Sequence, residues 1–207
     1  MSRALLHTIV AILVASTVLI GQKFTSTWKA PGAASVSFAG KKVAALIISD
    51  DQGLRMSGEE AMVRELAAIG LTQGIASYRI VPREELRDVE KAKGWYERAG
   101  AQGVVAMRLV KADKRRSWIP TFTSGYYSSL WNYYGYGWTS VYDPGYTDED
   151  LVAVIETVVF DVPQNKLLWA SVTETMNPKD AARVIEDVVA ATAKEMRKQG
   201  LAGGTAK

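Results

Sequence analysis

Residues Val43 to Ile48 (VAALII) constrain this chain more than any other stretch. The run is short, unbroken in its apolar character and rich in β-branched or aliphatic side chains, the signature of a strand covered on both faces. Such a strand needs layers on either side, and the neighbouring sequence offers them. In SGEEAMVRELAAIG (57–70), Ser57 and Glu60 have the spacing of a capping box, Gly70 is a stop, and Met62, Leu66 and Ile69 share a face. ASYRIV (76–81) reads as a second strand. Pro82 reads as the opening of a helix in which Leu86, Val89, Ala92 and Tyr96 align before Gly100. GVVAMRLVKA (103–112) reads as a third strand, emerging from the core where Arg108 and Lys111 begin.

Further along, LVAVIETVVFDV and LLWASVTET are two β-rich runs joined by residues 163–166, a hairpin. Asn177 and Pro178 open a last helix with an apolar stripe of Ala181, Val184, Ile185, Val188, Thr192 and Met196. Asp180 near its start and Lys194, Arg197 and Lys198 near its end suit the helix dipole. The order β-α-β-α-β-(insert)-β-β-α predicts an α/β (α+β) fold: a single mixed sheet of about five strands with three helices.

The amino-terminal residues 1–22, MSRALLHTIVAILVASTVLIGQ, have a basic start at Arg3, an apolar run from Ala4 to Ile20 and a small or polar end, the layout of a bacterial export signal or membrane anchor. Residues 23–40, rich in Ser, Ala, Gly and Thr, read as a linker. Residues 41–200 read as the domain, and 201–207 as a flexible tail. The body of the protein is expected in the periplasm or cell envelope.

Cysteine is absent and His7, inside the leader, is the only histidine. Thiol nucleophiles, thiolate metal sites and His-based catalysis in the mature fold are thereby excluded. The 25 basic and 22 acidic residues are interleaved, which argues against a nucleic-acid partner. Two carboxylate arrangements remain. Asp50 and Asp51 follow the first buried strand, where α/β folds place ligands, and offer a weak site for a divalent cation. Glu156 and Glu174 lie on adjacent strands of the hairpin, and the short connection suggests that they point to opposite faces. A metal-dependent or carboxylate hydrolase built on Asp50 and Asp51 is the alternative reading. The main expectation is a protein with no catalytic activity and no cofactor.

The binding candidates lie in the insert, residues 117–147, around GYYSSLWNYYGYGW (125–138). It is uncharged from Ser117 to Tyr142 and holds more than half of the chain's aromatic rings. Its glycines and lack of a sustained period read as a loop. A loop rich in Tyr and Trp suits wet interfaces. Trp118, Tyr126, Tyr127, Trp131, Tyr133, Tyr134, Tyr136 and Trp138 are therefore expected to form an exposed contact surface for an envelope protein partner, for self-association or for a membrane interface.

The words TSTWKAPG (25–32), GWYERAGAQGVVAMRLV (94–110) and the runs of residues 155–178 up to the NP that opens the last helix resemble a group of uncharacterised bacterial cell-envelope lipoproteins. In outline the topology is similar to the α/β domains of the curli secretion lipoprotein, the penicillin-binding-protein activator lipoproteins and the TolB amino-terminal domain. The resemblance implies an envelope-associated binding or assembly role without enzyme activity. LIGQ departs from the lipoprotein pattern at Gln22, where the lipidated cysteine would stand.

Overall fold

The computed structural model describes residues 24–112, 125–141, 152–176 and 180–202. Residues 1–23, which include the expected export signal, lie outside the described residues, as do Trp118 and the flanks of the aromatic segment. Strand β2 (Val43–Ile48) is buried along its whole length and sits inside a six-stranded mixed sheet of order β1-β6-β5-β4-β2-β3. It pairs in parallel with β3 (Gly74–Ala76) on one side and with β4 (Gly103–Ala112) on the other. β4 then pairs antiparallel with β5 (Val152–Asp161), β5 with β6 (Lys166–Met176), and β6 with β1 (Phe24–Lys29).

Alternation along the strands builds two cores. Val43, Ala45 and Ile47 face one layer with Val105, Met107 and Trp169, covered by α1 (Gln52–Ala68) and α4 (Ala181–Lys198). Ala44, Leu46 and Ile48 face the other layer with Val104, Val158 and Phe160, covered by α2 (Val89–Ala99) and α3 (Leu130–Thr139). The mixed-sheet fold class holds, with six strands and four helices where the sequence suggested about five and three.

The differences have local causes. Asp51, not Ser57, caps α1: its Oδ1 accepts from the Leu54 amide at 3.0 Å, so the helix starts earlier. Pro82 opens only a single 3₁₀ turn, Arg83–Glu85, and α2 begins after Asp88, which accepts from the Lys91 amide. The second strand is shorter and earlier than ASYRIV, because Ser77–Arg79 coils into a 3₁₀ turn. The expected linker contains an edge strand: Trp28 pairs with Ala170, and Phe24 meets Trp169 edge-on at 5.8 Å. A strand on an edge needs only one covered face, so it leaves a weak signal in a Ser/Thr-rich sequence. Leu201 and Ala202, expected in the tail, are buried beside Phe38, whose amide donates to the Leu201 carbonyl at 2.9 Å.

Candidate functional site

Helix α3 lies where the sequence suggested a loop. Ser129 caps it by accepting from the Asn132 amide at 3.1 Å, and the Leu130 amide donates to the side chain of Asn165 in the β5–β6 turn at 2.9 Å. Gly137 lets it press on the sheet: a Cβ there would lie 2.5 Å from Cδ1 of Ile48. Tyr127, Tyr133, Tyr134 and Trp138 are consequently buried and are not surface contacts, which corrects the expectation made for them. Their rings interlock with Tyr96 and Phe160 at centroid distances of 5.7 to 6.3 Å. Tyr126 and Trp131 are half-buried, and Tyr136, 42% exposed, is the one large hydrophobic side chain that stands open among the described residues. Tyr136 stacks on Tyr126 with centroids 4.4 Å apart and planes 22° from parallel.

Beneath that stacked pair lies a buried ion pair. Arg108 on β4 faces Glu156 on β5 in register, and Nε donates to Oε2 at 2.6 Å with the two side chains 4% and 0% exposed. The Tyr127 hydroxyl donates to Oε1 of Glu156. The Arg108 guanidinium carbon lies 4.9 Å from the Tyr136 ring centre, 5.4 Å from Tyr133 and 5.9 Å from Tyr126. Burial opposes the charge on Arg108, yet the Tyr133 hydroxyl and the Glu156 carboxylate hold its pKa above the ordinary value. Burial and the same carboxylate push the Tyr127 hydroxyl far up, so it stays a donor. Arg108 was expected to mark the end of the buried part of its strand; it is buried because a carboxylate and three rings receive it.

Glu156 and Glu174 share a face, contrary to the sequence expectation. Glu156 pairs with Val172 and Glu174 with Val154, and the register shifts by one residue between Val159 and Phe160. Counting back from the turn without that bulge puts the two carboxylates on opposite faces; the extra residue reverses the parity.

Asp50 and Asp51 are also brought into definite roles. Asp51 is the α1 cap. Asp50 pairs with Arg87 Nη2 at 2.7 Å, and Arg87 Nη1 donates to the Trp138 carbonyl at 2.8 Å, tying the end of β2 to the end of α3. No group of three or more carboxylates or histidines that could hold a metal ion occurs among the described residues. The same region forms a cavity of about 220 Å³ lined by Ser49, Asp50, Arg55, Arg83, Arg87 and Trp138, with Gln52, Glu84 and Leu86 completing its wall. Arg55 is 4% exposed, and its Nη1 has no hydrogen-bond partner.

One turn further along α1, Glu59 is fully buried. Its Oε1 accepts from the Ile47 amide at 3.1 Å and its Oε2 from the Tyr78 amide at 2.6 Å. Burial outweighs those bonds and raises its pKa from 4.5 to about 7. Sequence reasoning missed Arg55, Glu59, Arg83 and Arg87 because each sits in an ordinary solvated-looking helical or turn pattern. The one available signal was their nearness to the carboxyl end of a doubly buried strand.

No family model matches the chain, and no curated protein matches it. Among solved structures it is similar to a dodecamer of PelC from Paraburkholderia phytofirmans, at 12% identity and a TM-score of 0.45 over 85% of this chain and 96% of that one. A point variant of the same PelC dodecamer gives 14% identity and a TM-score of 0.45 over 84% and 96%.

Proposed function

We propose that this chain is an exported, cell-envelope binding or assembly domain without catalytic activity, which contacts an envelope protein partner or a second copy of itself through a small aromatic ledge. The ledge consists of Tyr126 and Tyr136, and half-buried Trp131, packed on Tyr96 and Tyr134, offers a separate second contact position; all three belong to the eight aromatic residues singled out in the sequence. The observation that carries the reading is the Tyr126–Tyr136 stack standing on a neutralised Arg108. Rigid rings with hydrogen-bonding tips make contacts at low entropic cost, and aromatic residues are enriched in interface cores. The carboxylates that a hydrolase would use support binding over catalysis, since Asp51 caps a helix, Asp50 holds Arg87 and Glu156 holds Arg108. The export pattern of residues 1–22 supports the envelope location.

The test is photo-crosslinking in growing cells, with a benzophenone amino acid at position 136, at 131, and at exposed Arg64 on α1 as a control. A discrete ultraviolet-dependent adduct from 136 or 131, absent from 64, is expected. Its mass distinguishes a second copy of the chain from another protein. No adduct from either aromatic position, or the same adducts from position 64, would refute the ledge.

A further inference from the structure

The cavity at the end of β2 stands apart from the aromatic ledge. The chain leaves β2 through α1 to reach β3 on one side, and returns through α2 to β4 on the other side. The two helices cover opposite faces of the sheet. The carboxyl end of β2 is therefore a topological switch point, the place where a parallel α/β arrangement opens a crevice. Ser49 and Asp50, the residues directly after β2, line the cavity found there, and α1 begins beside them.

The lining is cationic. Arg55, Arg83 and Arg87 face it against Asp50 and Glu84, and Asp50 is already engaged by Arg87 at 2.7 Å. Arg83 is exposed and holds the Gln52 side chain through Nη1 at 3.0 Å. Arg55 is different in kind. A guanidinium keeps its charge at every physiological pH, and a buried charge is ordinarily paired and hydrogen-bonded. Arg55 is more than nine-tenths buried, its Nη1 is unpartnered, and it forms no ion pair with any carboxylate among the described residues. Glu59, four residues on, is near enough to interact with its charge, but its two oxygens accept from the Ile47 and Tyr78 amides and not from the guanidinium. The arrangement is a planar donor fork lining a small crevice beside the positive end of a 17-residue helix.

We infer that this cavity binds the anionic group of a small ligand, a phosphoryl or carboxyl group, with Arg55 as the buried anchor and Arg83 at the rim. Arg87 is the positioning residue, holding the mouth between Asp50 and the Trp138 carbonyl. The cavity volume suits an anion with little more than a few further heavy atoms attached. The site does not depend on the ledge, and either can fail alone.

The experiment is isothermal titration of the full-length chain in mild detergent with inorganic phosphate and, separately, acetate, at constant ionic strength set with chloride. Saturable binding of at least one of the two is expected. Preference for phosphate assigns a phosphorylated ligand, and preference for acetate a carboxylated one. Arg55→Gln is expected to weaken the preferred anion about 10- to 100-fold, the loss of one or two charge-assisted hydrogen bonds. Arg83→Gln, an exposed change that leaves the fold alone, is expected to weaken it several-fold. No saturable binding of either anion by the parent chain overturns the proposal. So does undiminished affinity in a folded Arg55→Gln, or, where Arg55→Gln does not fold, undiminished affinity in Arg83→Gln.

Discussion

Breaking the Arg108–Glu156 pair from one side should be among the most damaging single changes in this protein. In Arg108→Met the methionine fills much of the space, but the Glu156 carboxylate stays buried with no cation beside it and only tyrosine hydroxyls, of Tyr127 and the nearby Tyr133, to solvate it. Two unit charges about 4 Å apart attract by about 4 kcal/mol at an effective dielectric constant of about 20. Removing one partner of a buried pair typically costs about 3–5 kcal/mol. For a chain of this size each kcal/mol lowers the melting temperature by roughly 2–4 °C, so a fall of roughly 6–20 °C is expected. Glu156→Gln alone should cost a similar amount by leaving Arg108 unneutralised. The double variant keeps an acceptor for Tyr127 and buries no charge, so it should recover to within about 1–2 kcal/mol of the parent. Urea unfolding followed by far-ultraviolet circular dichroism gives the complete cycle. An Arg108→Met cost below about 1 kcal/mol, or a double variant equal to the sum of the singles, would show that the pair is not the electrostatic unit described.

Glu59 should make stability depend on pH. Its folded pKa of about 7 lies above the ordinary 4.5, so between those values the native state holds a proton that the unfolded chain has released. Stability is therefore full below about pH 4.5, falls by about 3 kcal/mol as pH rises to 7, and levels off above it. Glu59→Gln should flatten that slope while losing about 1–3 kcal/mol at low pH, because one of the two amide donors then meets an NH₂ group; denaturant unfolding from pH 4.5 to 8 reads both. Gly137→Ala should destabilise by about 1 kcal/mol, toward the lower end for overpacking, since the group it strikes is the mobile end of Ile48. A cost above about 4 kcal/mol in a thermal melt would mean that α3 cannot shift at all. Asp50→Asn removes an exposed pair with Arg87 and should change stability by less than about 1 kcal/mol. Mg²⁺ should move the melting point no more than K⁺ at equal ionic strength, and a saturable Mg²⁺ shift lost in Asp50→Asn would restore the hydrolase reading.

Elements whose reasons are local were legible in the residues alone. VAALII could only be a doubly covered strand, the stripe from Val184 to Met196 could only be one face of a helix, and the runs on either side of residues 163–166 could only pair back on each other. Together these fixed a mixed sheet between helical layers. Features that depend on distant partners emerge only once the chain is folded. The aromatic segment carries a short helical period, Leu130, Tyr133, Tyr134 and Trp138 behind a Ser129 cap, but Gly135 and Gly137 weaken it. It becomes α3 because Asn165 receives its first amide, Gly137 admits Ile48, and Tyr96 and Phe160 receive its rings. β1 exists as a strand because β6 offers it an edge, and Glu156 and Glu174 share a face because of a single bulged residue. Arg108 lies inside because Glu156 stands opposite it, and Arg55 joins Arg83 and Arg87 because the end of β2, the start of α1 and the segment before α2 meet at one point. Hydrophobic periodicity reports which face of an element is covered. The identity of the group that covers it is a pairwise, long-range fact, and charge pairs and clefts are made of such facts.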